Sequence, residues 1–209
     1  SKTPYDNHTL ILLNGRPVRD PMSGGFNSTV YAVFPIDIID HIEIIRGPGS
    51  VLYGSAAYSG VINIVTREAL AETAEARISL SAGTQAAFGQ QIAGGVNKEG
   101  MSFNYGFNHY SNDGPTYSFI DGIGNPGSAE WERTYYSGFA NFNYQGFKLN
   151  GYFAKFEPYG VGGANLDWRD DNIMEHQHLF IDAGYSHDFN EKFSMDANLT
   201  INRHEFTEE

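Results

Sequence analysis

Seven histidines, a large surplus of carboxylates and no cysteine define what chemistry this 209-residue chain can offer. Without a thiol there is no thiolate nucleophile, no disulfide and no thiolate metal site. His176 and His178 are two apart and share one face of a strand, but a protein-bound metal ion needs at least a third ligand, and none is evident nearby. His109 and His204 fall near strand ends and His187 precedes a short turn, so the histidines are expected as scattered surface residues. Asp167, Asp170, Asp171 and Asn172 crowd one loop, yet their spacing fits no EF-hand, and a solvated acidic loop is the expectation. Gly47, Gly49 and Gly54 follow an apolar run and suggest a phosphate-binding loop. A Walker loop ends Gly-Lys-Ser/Thr, however, and here Gly54 is followed by Ser55 and Ala56. Ser59-Gly60 also comes too soon for the helix of a dinucleotide fold. No Ser, His and acid grouping and no carboxylate pair in a predicted cleft stands out. No enzyme activity, no metal and no cofactor are expected.

The elements that would position any binding residue divide the chain in two. Net charge is −12, with no basic patch, which argues against a nucleic-acid partner. Up to Glu68 basic and acidic residues nearly balance, five against six; beyond it they stand at eight against nineteen. Residues 1–68 mix short apolar runs with turns, whereas from Ala74 onward the pattern alternates with period two. Seven segments carry it: residues 74–83, 88–96, 101–108, 136–144, 147–153, 178–186 and 193–202. In the last, Phe193, Met195, Ala197, Leu199 and Ile201 oppose Ser194, Asp196, Asn198, Thr200 and Asn202. Gln90 is the one defect among Phe88, Ile92 and Val96.

A soluble antiparallel sandwich would also alternate. Two features favour strands that cross a membrane. Connections are short at Asn97–Gly100, Gln145-Gly146 and Asp188–Lys192, but long at Ser111–Arg133 and Lys155–Glu175, which is the layout of an outer-membrane barrel; Thr84–Ala86 departs from it. Tyr144, Phe147, Tyr185 and Phe193 lie on apolar faces beside short turns, as an interfacial aromatic girdle would. No apolar run is long enough for a membrane helix.

Residues 41–65 carry the most specific pattern: Ile42–Ile45 and Val61–Val65 read as strands around a segment dense in Gly and small residues. Upstream, Leu10–Leu13 leads into Asn14-Gly15, a type I′ hairpin signal, and Arg16-Pro17-Val18 follows. Together these stretches resemble the plug domain of TonB-dependent outer-membrane receptors. The resemblance implies a mainly β chain, with a small α+β plug segment followed by antiparallel up-and-down transmembrane β-barrel strands, about seven of an expected 22. Residues 1–68 would be a partial plug and 69–209 the first part of the barrel. It also implies that this is a fragment of a longer protein.

The family's work would follow from that organisation. Relatives import a scarce nutrient across the Gram-negative outer membrane, most often a ferric siderophore, energised through TonB, which engages an N-terminal box absent here. The alternatives are a plugged surface receptor for cobalamin, haem or glycan, or a signalling or adhesion receptor that does not import. By resemblance, Arg19, Asp20, Met22 and Phe26 lie in an apical plug loop that touches ligand. Tyr117, Phe119, Trp131 and Trp168 lie in or beside the long loops, where aromatic rings would either stack on a flat or apolar ligand or pack the loops against each other. Glu43 and Arg46 are expected to pair with the barrel wall, with Glu75 and Arg77 as partners.

Overall fold

The computed structural model describes residues 8–18, 33–47, 53, 57–67, 74–120, 124–158 and 174–208, and among them the architecture is built from strands. β1 (Thr9–Leu13) and β2 (Arg16–Pro17) form a hairpin, with Leu13 opposite Arg16. Its tip, Asn14 and Gly15, holds φ of 50° and 78°, the left-handed pair that a type I′ turn requires and that Asn-Gly accepts most readily. β3 (Ile39–Arg46) follows a 3-10 turn at Ile36–Ile38 and pairs antiparallel with β4 (Gly60–Thr66). β4 pairs parallel with β1 on its other side, giving the order β2-β1-β4-β3. Apolar residues cover both faces. Leu10, Leu12, Ala57 and Val61 form one buried cluster, and Leu13, Val18, Val33, Phe34, Ile38 and Ile64 belong to another.

The rest of the chain forms a seven-stranded meander. β5 (Glu75–Ala82), β6 (Phe88–Lys98) and β7 (Met101–Asn112) come first. A two-stranded hairpin, β8 (Thr116–Ile120) and β9 (Pro126–Glu130), stands outside the sheet. The sheet continues with β10 (Arg133–Tyr144), β11 (Phe147–Pro158), β12 (Met174–Asn190) and β13 (Phe193–Glu208). All seven alternating segments are strands of this sheet. Glu99-Gly100 and Gln145-Gly146 close tight turns on one rim, again with positive φ at both residues. β12 and β13 run 17 and 16 residues, well past the alternating segments, because polar residues continue the pairing beyond the apolar stretch.

The two faces of the long sheet differ as alternation requires. One carries Ile78, Leu80, Phe107, Leu149, Phe153 and Leu199, large apolar side chains left exposed. The other is covered by the N-terminal sheet, and there Phe139, Tyr152 and Phe180 are buried with Ser137, Asn141, Asn150, His178 and Asp182. Apolar outside and mixed inside is the inverse of a soluble sandwich, and it is the arrangement of a barrel wall in lipid. No described helix is long and apolar enough to cross a membrane.

Candidate functional site

The inner face of the long sheet is best described as rows running across the strands. In the register, Phe139 of β10 lies opposite Tyr152 of β11, and Tyr152 opposite Phe180 of β12. Val33, Phe34 and Ile38, in the segment and 3-10 turn that lead into β3, pack into this row, with the Phe34 ring 5.2 Å from Tyr152 and 6.2 Å from Phe139. One row nearer the tight turns the chemistry becomes polar: Asn104, Asn141, Asn150 and Asp182 lie side by side. The β1–β2 tip docks there. Asn14 donates to Asn150 at 3.4 Å, and the Arg16 guanidinium meets Asp182 at 3.2 Å.

Asp182 is a buried carboxylate, and three donors compensate its desolvation. Asn198 donates at 3.0 Å, Thr200 at 2.7 Å, and Arg16 completes the set. Asn14 is held in turn by Thr66, whose backbone N–H donates to it at 2.9 Å. Asn63 fixes the turn from the other side, accepting from the Gly15 N–H at 2.9 Å. Higher up, the Ser137 hydroxyl donates to the Val33 carbonyl. None of Asn14, Arg16, Asn150 or Asp182 stood out in the sequence as a contact between the two sheets. Asn14-Gly15 was visible only as a turn, and the polar positions among inward-facing residues were the sole sign of a docking row.

The four charged contact candidates lie elsewhere. Glu43 accepts from Asn63 at 2.7 Å and lies 3.5 Å from His41, so its partners belong to its own sheet. Arg46 ends β3 opposite Gly60, and no ion pair joins Glu43 or Arg46 to the long sheet among the described residues. Glu75 and Arg77 line an inner cavity of about 480 Å³ with Asp37, Arg67 and Asn104. Asp40 and Glu43 flank His41 and raise its pKa above the usual histidine value, the hydrogen bond from the His41 ring to the Asp40 carboxylate being the main cause. The bonds from Asn63 and His41 hold Glu43 below the usual carboxylate range.

At the rim with long connections, the hairpin β8–β9 places Tyr117 edge-on to Trp131, ring centroids 6.1 Å apart. Both line a second cavity, also about 480 Å³, with Asn112, Pro115 and Arg133. Asn112 and Arg133 lie opposite each other at the ends of β7 and β10 and were not singled out in the sequence; strand parity, which puts them on the inner face, was the available signal. The Asn112 side-chain amide oxygen is buried and has no hydrogen-bond partner among the described residues. Phe119 lies in β8 with its side chain outside the described residues. Arg19, Asp20, Met22, Phe26, Trp168 and the acidic group Asp167, Asp170, Asp171 and Asn172 lie outside them as well.

The histidines correct one expectation. His178 is buried, not on the surface, and its ring centroid is 5.8 Å from that of His204, directly opposite on β13. His176 stacks on His204 at 5.9 Å. Long paired strands bring three histidines onto one inner face that their sequence positions do not suggest. No described group of three or more His, Cys, Asp or Glu has a metal-binding arrangement.

Comparison with known proteins places this architecture. Residues 2–61 match the family model of the TonB-dependent Receptor Plug Domain. The N-terminal part of this chain is thus similar to a TonB-dependent receptor plug domain. Solved structures of similar fold include a mutant of the ferric enterobactin receptor PfeA of Pseudomonas aeruginosa, at 21% identity and TM-score 0.57 over 95% of this chain and 33% of that one. The ferric-catecholate import receptor Fiu of E. coli K12 matches at 14% identity and TM-score 0.61, over 98% of this chain and 32% of its own. The siderophore receptor PirA of Acinetobacter baumannii matches at 17% and 0.53, over 97% and 32%. The chain thus spans about a third of the length of these structures, and at such identities the likeness is one of fold. Most of the N-terminal sheet falls within the residues that match the plug model, and the seven-stranded sheet has the fold of an open arc of these β-barrels.

Proposed function

We propose that this chain is part of a Gram-negative outer-membrane receptor that imports a scarce nutrient, a ferric siderophore, with energy delivered through TonB. The observation that carries the reading is the plug seated by Phe34, Asn14 and Arg16 against a wall whose other face is apolar. A wall of that polarity suits lipid outside and a blocked aqueous lumen inside. A lumen filled by a small folded sheet serves selective import better than open diffusion. Cargo would first meet the rim, where Tyr117, Trp131, Arg133 and Asn112 offer two aromatic faces, a cation and an unpartnered acceptor. Arg19, Asp20, Met22 and Phe26 are proposed as the plug's side of that site. The reaction is transport by altered binding, with no covalent step.

The test is a tryptophan-fluorescence titration of the detergent-purified full-length protein against several ferric siderophores, haem and cobalamin. Trp131 reports from the rim. Saturable quenching by a ferric siderophore, corrected for absorbance, is the expected result. Quenching by haem or cobalamin alone would replace the cargo class. Binding of a siderophore without uptake in cells would replace import with a receptor function.

A further inference from the structure

The outward face of the long sheet switches from apolar to polar along a line that can be followed strand by strand. The last apolar residue on that face before the long connections is Tyr136 on β10, Phe153 on β11, Leu179 on β12 and Ile201 on β13. The pairing relates them: Tyr136 lies opposite Lys155, Phe153 opposite Leu179, and Leu179 opposite Arg203. The line therefore drops four residues in three steps from β10 to β13. At the tight-turn rim the aromatic residues drop by the same amount. Tyr144 lies opposite Phe147, Phe147 opposite Tyr185 and Tyr185 opposite Ala197, and Phe193 is four residues beyond Ala197. The two lines stay eight residues apart, from Tyr136 to Tyr144 on β10 and from Ile201 to Phe193 on β13.

Four residues of strand cover about 13 Å and three strand spacings about 14 Å, so both lines cross the register at about 40°. Strands of an outer-membrane barrel tilt by that angle, which makes each line level with the membrane plane. Eight residues cover about 26 Å of strand and, at that tilt, about 20 Å of bilayer thickness, near the height of such a barrel's apolar band. The Tyr136–Ile201 line is thus the edge of the hydrocarbon on the side of the long connections, which is the outer leaflet.

Just beyond that edge the same face becomes hydrogen-bonding. Lys155 pairs with Glu157 and, at 2.7 Å, with Glu175; Gln177 donates to Glu175, and Arg203 pairs with Glu205. Gln177 lies opposite both Lys155 and Glu205, so these groups form one patch across β11–β13. Lys155 is largely covered, whereas Arg203 and Glu205 are exposed. Both cations are matched by carboxylates, and the carboxylates are in excess, so the patch does not draw a phosphate as a cationic one would. An amide, a guanidinium and carboxylates side by side donate to and accept from neighbouring hydroxyls, which is what a sugar presents. The opposite edge is built from the rings of Tyr144, Phe147, Tyr185 and Phe193. Edges of different chemistry suit headgroup layers of different chemistry.

We propose that this patch is a contact site for the sugar headgroup of an outer-leaflet glycolipid. The acyl chains lie on Phe153, Leu179 and Ile201, and the sugar hydroxyls meet Gln177, Arg203 and Glu205. The inference rests on the outer-membrane reading, but not on import or on any cargo.

The test uses the full-length protein in a cysteine-free background, in vesicles of phosphatidylcholine with brominated acyl chains. Bimane is attached at Ile201→Cys, beside the patch, or at Val96→Cys, on the outward face of β6 and away from it. Unbrominated phosphatidylcholine, digalactosyl diacylglycerol or phosphatidylglycerol then replaces part of the brominated lipid at equal mole fraction. Relief of quenching at residue 201 should be greatest with the galactolipid, and at residue 96 the three lipids should act alike. Arg203→Leu with Glu205→Leu, and separately Gln177→Leu, should remove the preference at 201 in barrels that retain heat-modifiable mobility. Equal relief by the three lipids at 201, the same preference at 96, or greatest relief with phosphatidylglycerol overturns the proposal. So does a preference that survives both sets of substitutions. Because the wild-type patch is compared at two positions, the proposal can fail even where a variant does not fold. Labels that brominated chains do not quench at either position would strike the membrane reading itself, and the proposal with it. Absence of siderophore uptake in cells would strike import alone.

Discussion

His41 and Asp182 show how single residues of the plug and its seat respond to charge. His41 sits 2.7 Å from Asp40 and 3.5 Å from Glu43 in an exposed strand. Its folded pKa is raised above the ordinary 6.5, chiefly by Asp40. The protonated ring therefore favours the folded plug fully below the ordinary histidine value, and that contribution fades as pH rises through the folded pKa. Glu43 has the opposite sign: its depressed pKa contributes above the usual carboxylate range and is lost as pH falls. NMR titration of the full-length protein should find His41 titrating above a free histidine, and Asp40→Asn should bring it down; an unshifted midpoint would remove the pairing. At the seat, Asp182→Ala leaves Asn198, Thr200 and Arg16 without their acceptor. That should weaken the folded plug–barrel unit by about 1–3 kcal/mol. Arg16→Met should cost about 1 kcal/mol, because its guanidinium is half exposed and water already screens the pair. Urea midpoints of the two variants and their double mutant check both values. A wild-type midpoint for Asp182→Ala would mean that the tip is not fastened there.

Strands are the scale at which the sequence spoke most clearly. Period-two alternation assigned Leu80 and Leu199 to the outer face and Asn198 to the inner, and the register agrees: Leu199 lies opposite Ala183, and Asn198 reaches Asp182. Leu80→Arg or Leu199→Arg should therefore impair assembly by about 2–4 kcal/mol near the bilayer midplane. Asn198→Arg should be milder, as heat-modifiable gel mobility of the full-length protein would show; equal defects on both faces would refute the assignment. Gly106→Ala tests a different contact. A Cβ there would come within 2.3 Å of an Ile38 methyl, so the Ile38 side chain or its 3-10 turn must shift, at a cost of about 1–3 kcal/mol. Other elements were illegible for physical reasons. β8 and β9 are five residues each, bounded by Pro115 and Pro126, too short for alternation to stand out from loop composition. The ends of β12 and β13 lack apolar periodicity, and there backbone pairing continues beside polar residues and ring contacts such as His176 with His204. The plug seat was hidden for another reason. Asn14 and Arg16 are ordinary hairpin residues locally, and only the partners Asn150 and Asp182, more than a hundred residues away, make them fasteners.

At the scale of the molecule, the rim and the seat must be separable if binding is to be adjusted without unseating the plug. The chain leaves the plug core at Val18 and re-enters it at Val33, and both are buried in the same cluster as Leu13, Phe34 and Ile64. The segment between them contains Arg19, Asp20, Met22 and Phe26, while the fasteners Asn14, Arg16 and the Val33 carbonyl lie outside it. Deleting residues 19–26 leaves six residues to bridge Val18 and Val33, and the entropy of closing a loop changes only slowly with its length. The plug core and its seat should therefore survive, with heat-modifiable mobility and the urea midpoint close to wild type. Ligand affinity should fall, because the plug's contribution to the rim site goes with the segment. The tryptophan titration separates the outcomes. Weakened quenching in a fully folded barrel assigns the apical loop to the site. Unchanged affinity would confine the site to the wall, to Tyr117, Trp131, Arg133 and Asn112. Loss of the folded barrel would show that seat and rim are one cooperative unit, contrary to the division that the buried anchors at Val18 and Val33 imply.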